Sequence, residues 1–199
     1  MAADALNYRF EDQGYTYADW LEFDESVRAE LIGGELYMMA PPAANHQDVH
    51  RELFGRLFVF LQGKPCKVYS APFGVRLFPK EDLSDDTVVE PDIVVICDQS
   101  KIDKQGCKGA PDLVIEILSP STVRHDRIVK FQKYLAAGVR EYWVADPDNR
   151  WIEAHTLQNG GYRTMVYDET AEAPVSVLPG CAIRLSEIFA GTETPAAES

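Results

Sequence analysis

Two β-branched apolar runs with acids set inside them limit most strongly what this chain can fold into. The first is Val88-Val89-Glu90-Pro91-Asp92-Ile93-Val94-Val95-Ile96-Cys97, and the second is Pro111-Asp112-Leu113-Val114-Ile115-Glu116-Ile117-Leu118. Outside Glu90, Asp92 and Glu116 they are apolar at nearly every position, the pattern of central strands covered on both faces. A lone buried carboxylate is costly, so each such acid must be protonated, paired or metal-bound. Two acids on neighbouring strands would repel, and a divalent cation would relieve that repulsion. Oxygen ligands suit Mg²⁺ or Mn²⁺ better than zinc. The alternative is that each carboxylate pairs with a buried arginine or caps a backbone amide.

The flanking segments predict the remaining elements. Thr16 and Asp19 form a capping box for a short helix through Trp20 and Leu21. Gly33-Gly34 reads as the tight turn of a hairpin in Arg28–Met39. Val49, Leu53, Leu57 and Leu61 recur at helical spacing, predicting a helix from about Ala43 to Leu61 that Gly63 and Pro65 end. Lys67–Ala71 and Phe73–Phe78 read as strands. Ser121 or Thr122 caps a helix running to Ala137, where Gly138 stops it. Glu141–Asp146 is a further strand. A second hairpin turns at Asn159-Gly160-Gly161, and a last strand near Cys181–Leu185 precedes a short helical turn. The order predicts an α/β fold: a mixed sheet flanked by helices, with β-hairpins added at both ends. Residues 1–190 are expected to form one domain and 191–199 a disordered tail.

Charge narrows the function classes. The net charge is −13, yet residues 51–150 hold fifteen acidic and fifteen basic side chains, so the deficit lies at the two ends. A bound divalent ion would make the neutral middle more positive. No apolar run of about 18 residues is present, so no span of a membrane is expected, and the absence of a leader pattern predicts a cytoplasmic protein. Cys66, Cys97, Cys107 and Cys181 form no CxxC pair and are expected to be reduced thiols. The GxSxG elbow, the P-loop and GxGxxG are absent, which leaves serine hydrolases, NTPases and Rossmann enzymes without support.

On the helix after Glu116, Asp126, Lys130 and Tyr134 share one stripe, while Ile128, Phe131 and Leu135 form the apolar stripe expected to face the sheet. Lys130 lies nearer that apolar stripe than Lys133 and could reach back over the sheet, while Lys133 is expected to point to water; by helical position alone a solvated Lys130 is the favoured alternative. His46 and His50 stand i, i+4, a spacing that binds zinc on some helices, but no third ligand follows and the HExxH pattern is absent.

The segments Glu30–His46, Val89–Ile96, Pro111–Thr122, Asp126–Pro147 and Arg150–Leu157, taken together and in order, closely resemble the Uma-type endonuclease family, a branch of the PD-(D/E)XK nuclease superfamily. The resemblance runs from about Tyr15 to Tyr167. It implies a restriction-endonuclease-like fold in which Asp92 and Glu116 bind Mg²⁺ or Mn²⁺. Leu118 stands where the superfamily usually has a lysine. Relatives that carry the lysine on the next helix match Lys130, which would then be the third catalytic residue. Glu35 and His46 match family positions near the site and are secondary candidates. The implied activity is hydrolysis of phosphodiester bonds, with DNA as default substrate. A homodimer would suit cutting both strands of a duplex. The rival reading is a catalytically dead nucleic-acid-binding or dimeric scaffold module of the same fold.

Overall fold

The computed structural model describes residues 14–24, 27–120 and 124–192. Thr16 caps α1 (Tyr17–Trp20) through a reciprocal bond with Asp19, as its spacing predicts. β1 (Ala29–Ile32) and β2 (Glu35–Met38) form the first hairpin. Its turn needs glycine, because Gly33 and Gly34 both have positive φ, 62° and 82°. α2 (Ala44–Leu61) follows, then β3 (Lys67–Ser70), β4 (Gly74–Arg76), β5 (Thr87–Val89) and β6 (Ile93–Ile96). A single 3₁₀ turn precedes β7 (Gly106–Lys108) and β8 (Leu113–Ile117). The segment His125–Lys130 is π-helical and runs directly into α3 (Phe131–Ala137). The chain closes with β9 (Glu141–Asp146), β10 (Trp151–Gln158), β11 (Gly161–Asp168), β12 (Glu172–Pro174), β13 (Ala182–Arg184) and α4 (Leu185–Ile188).

The strands make a six-stranded sheet of order β11-β10-β9-β8-β6-β3, a five-stranded sheet of order β2-β1-β5-β4-β7 and the pair β12-β13. β8 runs parallel to β9 and antiparallel to β6, so the larger sheet is mixed. One of its faces packs Ile93, Val95, Leu113 and Ile115 against Val49, Leu53, Leu57 and Leu61 of α2, with α4 beside them. The other packs Val94, Ile96, Val114 and Val144 against Tyr134 of α3. Burying each of these aliphatic side chains is worth roughly 1.5–3 kcal/mol.

Three expectations change. The run Val88–Cys97 is two strands in different sheets, because Pro91 has no N–H to donate and breaks the ladder. Short β7 and β12, each three residues, carry too little pattern to be read from sequence. Cys66 and Cys97 are joined by a disulfide rather than reduced, while Cys107 and Cys181 are free and buried. The β3–β6 register explains the bond: Lys67 pairs with Ile96, so Cys66 and Cys97 come opposite each other one step further on. Thr192, placed by sequence in the tail, is buried, and its carbonyl accepts from Arg150 at 2.9 Å. Residues 193–199 and the expected caps Ser121 and Thr122 lie outside the described residues. Among the described residues no helix is long and apolar enough to cross a membrane.

Candidate active site

Asp92 and Glu116 meet because of sheet register. β6 and β8 pair Ile93 with Ile115 and Val94 with Val114, so one further step sets Asp92 opposite Glu116. Both line one cavity of about 550 Å³, together with Glu30, His46, His125, Asp126 and Lys130. A larger cleft of about 750 Å³ between α2 and β13 contains arginines already paired with glutamates, and neither sequence-predicted carboxylate lines it.

Each acid has its own anchors. Asp92 Oδ2 accepts the backbone N–H of Ile117 at 2.7 Å and faces His46 Nε2 at 3.2 Å. His50 Nε2 lies 3.2 Å from the Asp92 carbonyl and 3.0 Å from Ser70 Oγ. Burial holds His50 below the usual imidazole range. Both histidines are thus engaged with Asp92. Glu116 Oε1 accepts from Lys130 Nζ at 2.9 Å and from Tyr134 Oη at 2.6 Å.

Lys130 is the centre of the charge arrangement. Its ammonium lies 2.9 Å from Glu116 Oε1, 2.9 Å from Glu30 Oε2 and 3.4 Å from Asp126 Oδ1, and the residue is only 5% exposed. Burial alone would push the ammonium down, but Glu116, Glu30 and Asp126 outweigh it and hold it well above its usual range. Burial and the surplus of carboxylates around it push the Glu116 carboxyl up.

The helix turns its polar stripe inward as well as Phe131 of the expected apolar stripe, which packs against the core. Asp126, Lys130 and Tyr134 are buried, whereas Ile128 is 56% exposed. The cluster of acids on the sheet makes the polar stripe the one that fits inward. Lys133 is half-buried rather than fully solvated, its Nζ lying 3.5 Å from Thr87 Oγ1. Glu35 is exposed and lies outside the cavity, where its Oε2 accepts from Tyr37 Oη at 2.9 Å. Glu30 stands in the cavity instead, its Oε1 also accepting from the Glu90 amide at 2.8 Å. The signal for Glu30 was the one used for Asp92: an acid between Ala29 and Leu31 in a strand buried along its whole length.

Among the described residues no three His, Cys, Asp or Glu side chains form a ready-made metal shell. The Lys130 ammonium fills the space between Glu30, Glu116 and Asp126. Asp92 and Glu116 remain as two hard oxygen donors on one cavity wall. That donor set fits Mg²⁺ or Mn²⁺, which commonly use one or two carboxylates and complete their shell with water and phosphate oxygens.

The fold is a mixed α/β sheet flanked by helices, with two carboxylates meeting at adjacent strands beside a helix-borne lysine. The Uma2 family, described as "Putative restriction endonuclease", matches residues 15–186, and the chain belongs to it. A solved structure, a putative nuclease belonging to DUF820 from Anabaena variabilis, superposes with a TM-score of 0.72 over 88% of this chain and 98% of that one, at 22% identity. An uncharacterized protein of Synechocystis sp., slr1290, is 27% identical over 118 residues, covering 58% of this chain and 60% of that protein's length.

Proposed function

We propose that this chain is a metal-dependent endonuclease that hydrolyses phosphodiester bonds in DNA. The observation that supports this best is the cross-strand placement of Asp92 and Glu116 on one cavity wall, with Lys130 Nζ 2.9 Å from Glu116.

Asp92 and Glu116 are the residues that would hold Mg²⁺ or Mn²⁺. Such an ion polarises a phosphoryl oxygen and lowers the pKa of a bound water. The Ile117 amide and His46 fix the Asp92 rotamer. Lys130, held in its charged form, is no proton acceptor; it offsets the acid surplus and stabilises negative charge that develops on phosphate. The cavity wall carries Glu30, Glu90, Asp92, Glu116 and Asp126 against the cations Arg28 and Lys130. A phosphate backbone entering that field without added positive charge would be repelled, which is a physical reason for metal dependence.

One observation favours a second reading, a nucleic-acid-binding module without catalysis. Leu118 replaces the strand lysine, and Lys130 is clamped by three carboxylates. A nuclease assay over single- and double-stranded DNA and RNA, with Mg²⁺, Mn²⁺ or chelator, separates the two. Metal-dependent cleavage of DNA, abolished in Asp92→Asn and Glu116→Gln, is the expected result. Binding of DNA without cleavage under every metal would establish the second reading.

A further inference from the structure

We propose that β11 is a self-association edge, and that two copies of this chain join there to extend the six-stranded sheet across a two-fold axis. The structure leaves this strand open in an unusual way. β11 is eight residues long, contains no proline and, among the described residues, is paired only with β10. Met165 is 45% exposed and Val166 60% exposed. The opposite edge, β3, is four residues long, begins with exposed Lys67 and lies between Pro65 and Pro72. Those are devices that discourage edge pairing, and β11 lacks most of them.

The hairpin fixes which backbone groups are open. Gln158 pairs with Gly161 across a two-residue turn, so that pair exchanges hydrogen bonds. Alternation then directs the N–H and C=O groups of Tyr162, Thr164 and Val166 away from β10. An antiparallel partner strand would satisfy them.

The strand is self-complementary in the register centred on Met165. A two-fold axis normal to the sheet keeps each residue on its own face, so residues pair only with others of the same parity. Met165 then meets Met165 of the second copy, Thr164 meets Val166, and Arg163 meets the ring of Tyr167. Glu169 of the second copy sits diagonally within reach of Arg163, and no like charges stand opposite each other. The occupant this favours is therefore a second copy rather than an unrelated strand.

The same axis has a consequence for the cavities. Because it is normal to the sheet, both copies of the Asp92–Glu116 site lie on the same side. β8 is three strands in from β11, so seven inter-strand steps separate the two sites along the sheet. That path is about 34 Å, close to one turn of duplex DNA, and twist makes the straight line shorter. The association itself does not depend on which reaction the cavities perform.

Sedimentation velocity of the full chain from about 1 to about 200 µM tests it. The wild type is expected to shift with concentration from 22.3 kDa towards twice that mass. Met165→Lys places two ammonium groups opposite each other at an exposed position and is expected to remain monomeric, while Val59→Lys on α2 is expected to dimerise like the wild type. Met165→Cys under oxidised glutathione is expected to give a cross-linked dimer on a non-reducing gel, because opposed residues in a non-hydrogen-bonded pair lie within disulfide reach. A wild type that stays monomeric throughout overturns the proposal. So does a dimer unaffected by Met165→Lys, or cross-linking of Met165→Cys no stronger than that of Val59→Cys.

Discussion

Lys130 Nζ and Glu116 Oε1 lie 2.9 Å apart with both side chains almost completely buried, although fourteen residues and a change of secondary structure separate them. The contact joins a helix to the central sheet through charge rather than through apolar packing. Glu30 and Asp126 share the same ammonium. The pair is therefore both a structural joint and the cationic part of the candidate site.

Lys130→Met should destabilise the protein as well as inactivate it. Removing the ammonium takes from Glu30, Glu116 and Asp126 the buried cation they share, a loss of about 3–5 kcal/mol. Urea unfolding at neutral pH measures it. Lys133→Met, at a half-buried position with a long contact to Thr87 and an ammonium 5.9 Å from the Phe78 ring, should cost less than about 1 kcal/mol. Equal effects from the two substitutions would mean that the carboxylates do not depend on Lys130.

Leu118→Lys should partly rescue Lys130→Met. Leu118 directly follows β8, its N–H still bonded to the Ala145 carbonyl, so alternation points a lysine at 118 to the side on which Glu116 lies. The double variant is expected to unfold at higher urea than Lys130→Met alone and to regain activity by about tenfold, roughly 1.4 kcal/mol of barrier. In the wild-type background the same lysine replaces a buried apolar side chain and should be destabilising. A double variant no better than Lys130→Met would show that a cation on the strand cannot serve these acids.

His155 should make the fold sensitive to mild acid. Burial, aided by the Arg127 guanidinium, lowers its pKa to about 4. The folded state thus keeps the ring neutral while the unfolded chain takes up a proton near pH 6.5. The contribution is complete above about pH 6.5 and is lost as pH falls towards 4, amounting to about 2 kcal/mol between pH 7 and 4.5. His155→Phe keeps the ring packing against Phe131 and Tyr142 but cannot titrate. Its stability should fall by about 2 kcal/mol less than that of the wild type over the same range. Parallel pH profiles would rule out His155 as the source.

Reducing the Cys66–Cys97 bond should lower stability by about 4 kcal/mol, since it closes a loop across 31 residues of sequence. Thermal melts with and without dithiothreitol check this, and Cys66→Ser/Cys97→Ser should reproduce the reduced value. A transition that does not move on reduction would mean that the β3–β6 pairing holds the two strands unaided.

Local pattern was enough for much of this protein. The capping box at Thr16, the Gly33-Gly34 turn, the α2 stripe and the Asn159-Gly160 hairpin each depend on residues within a few positions of one another, so the sequence by itself specified them. The anomaly of acids in apolar strands likewise marked Asp92 and Glu116, because burial is legible wherever a run is apolar on both faces. What required the tertiary structure was every relation between distant segments. Register between β6 and β8 decided that Asp92 faces Glu116, and register between β3 and β6 brought Cys66 to Cys97. The inward face of the Asp126–Tyr134 stripe was decided by the carboxylates awaiting it, which no helical periodicity contains. Glu30 rather than Glu35 entered the cavity because β1 is a central strand of its sheet and β2 an edge, a difference of neighbours that two adjacent acids in one hairpin cannot express locally.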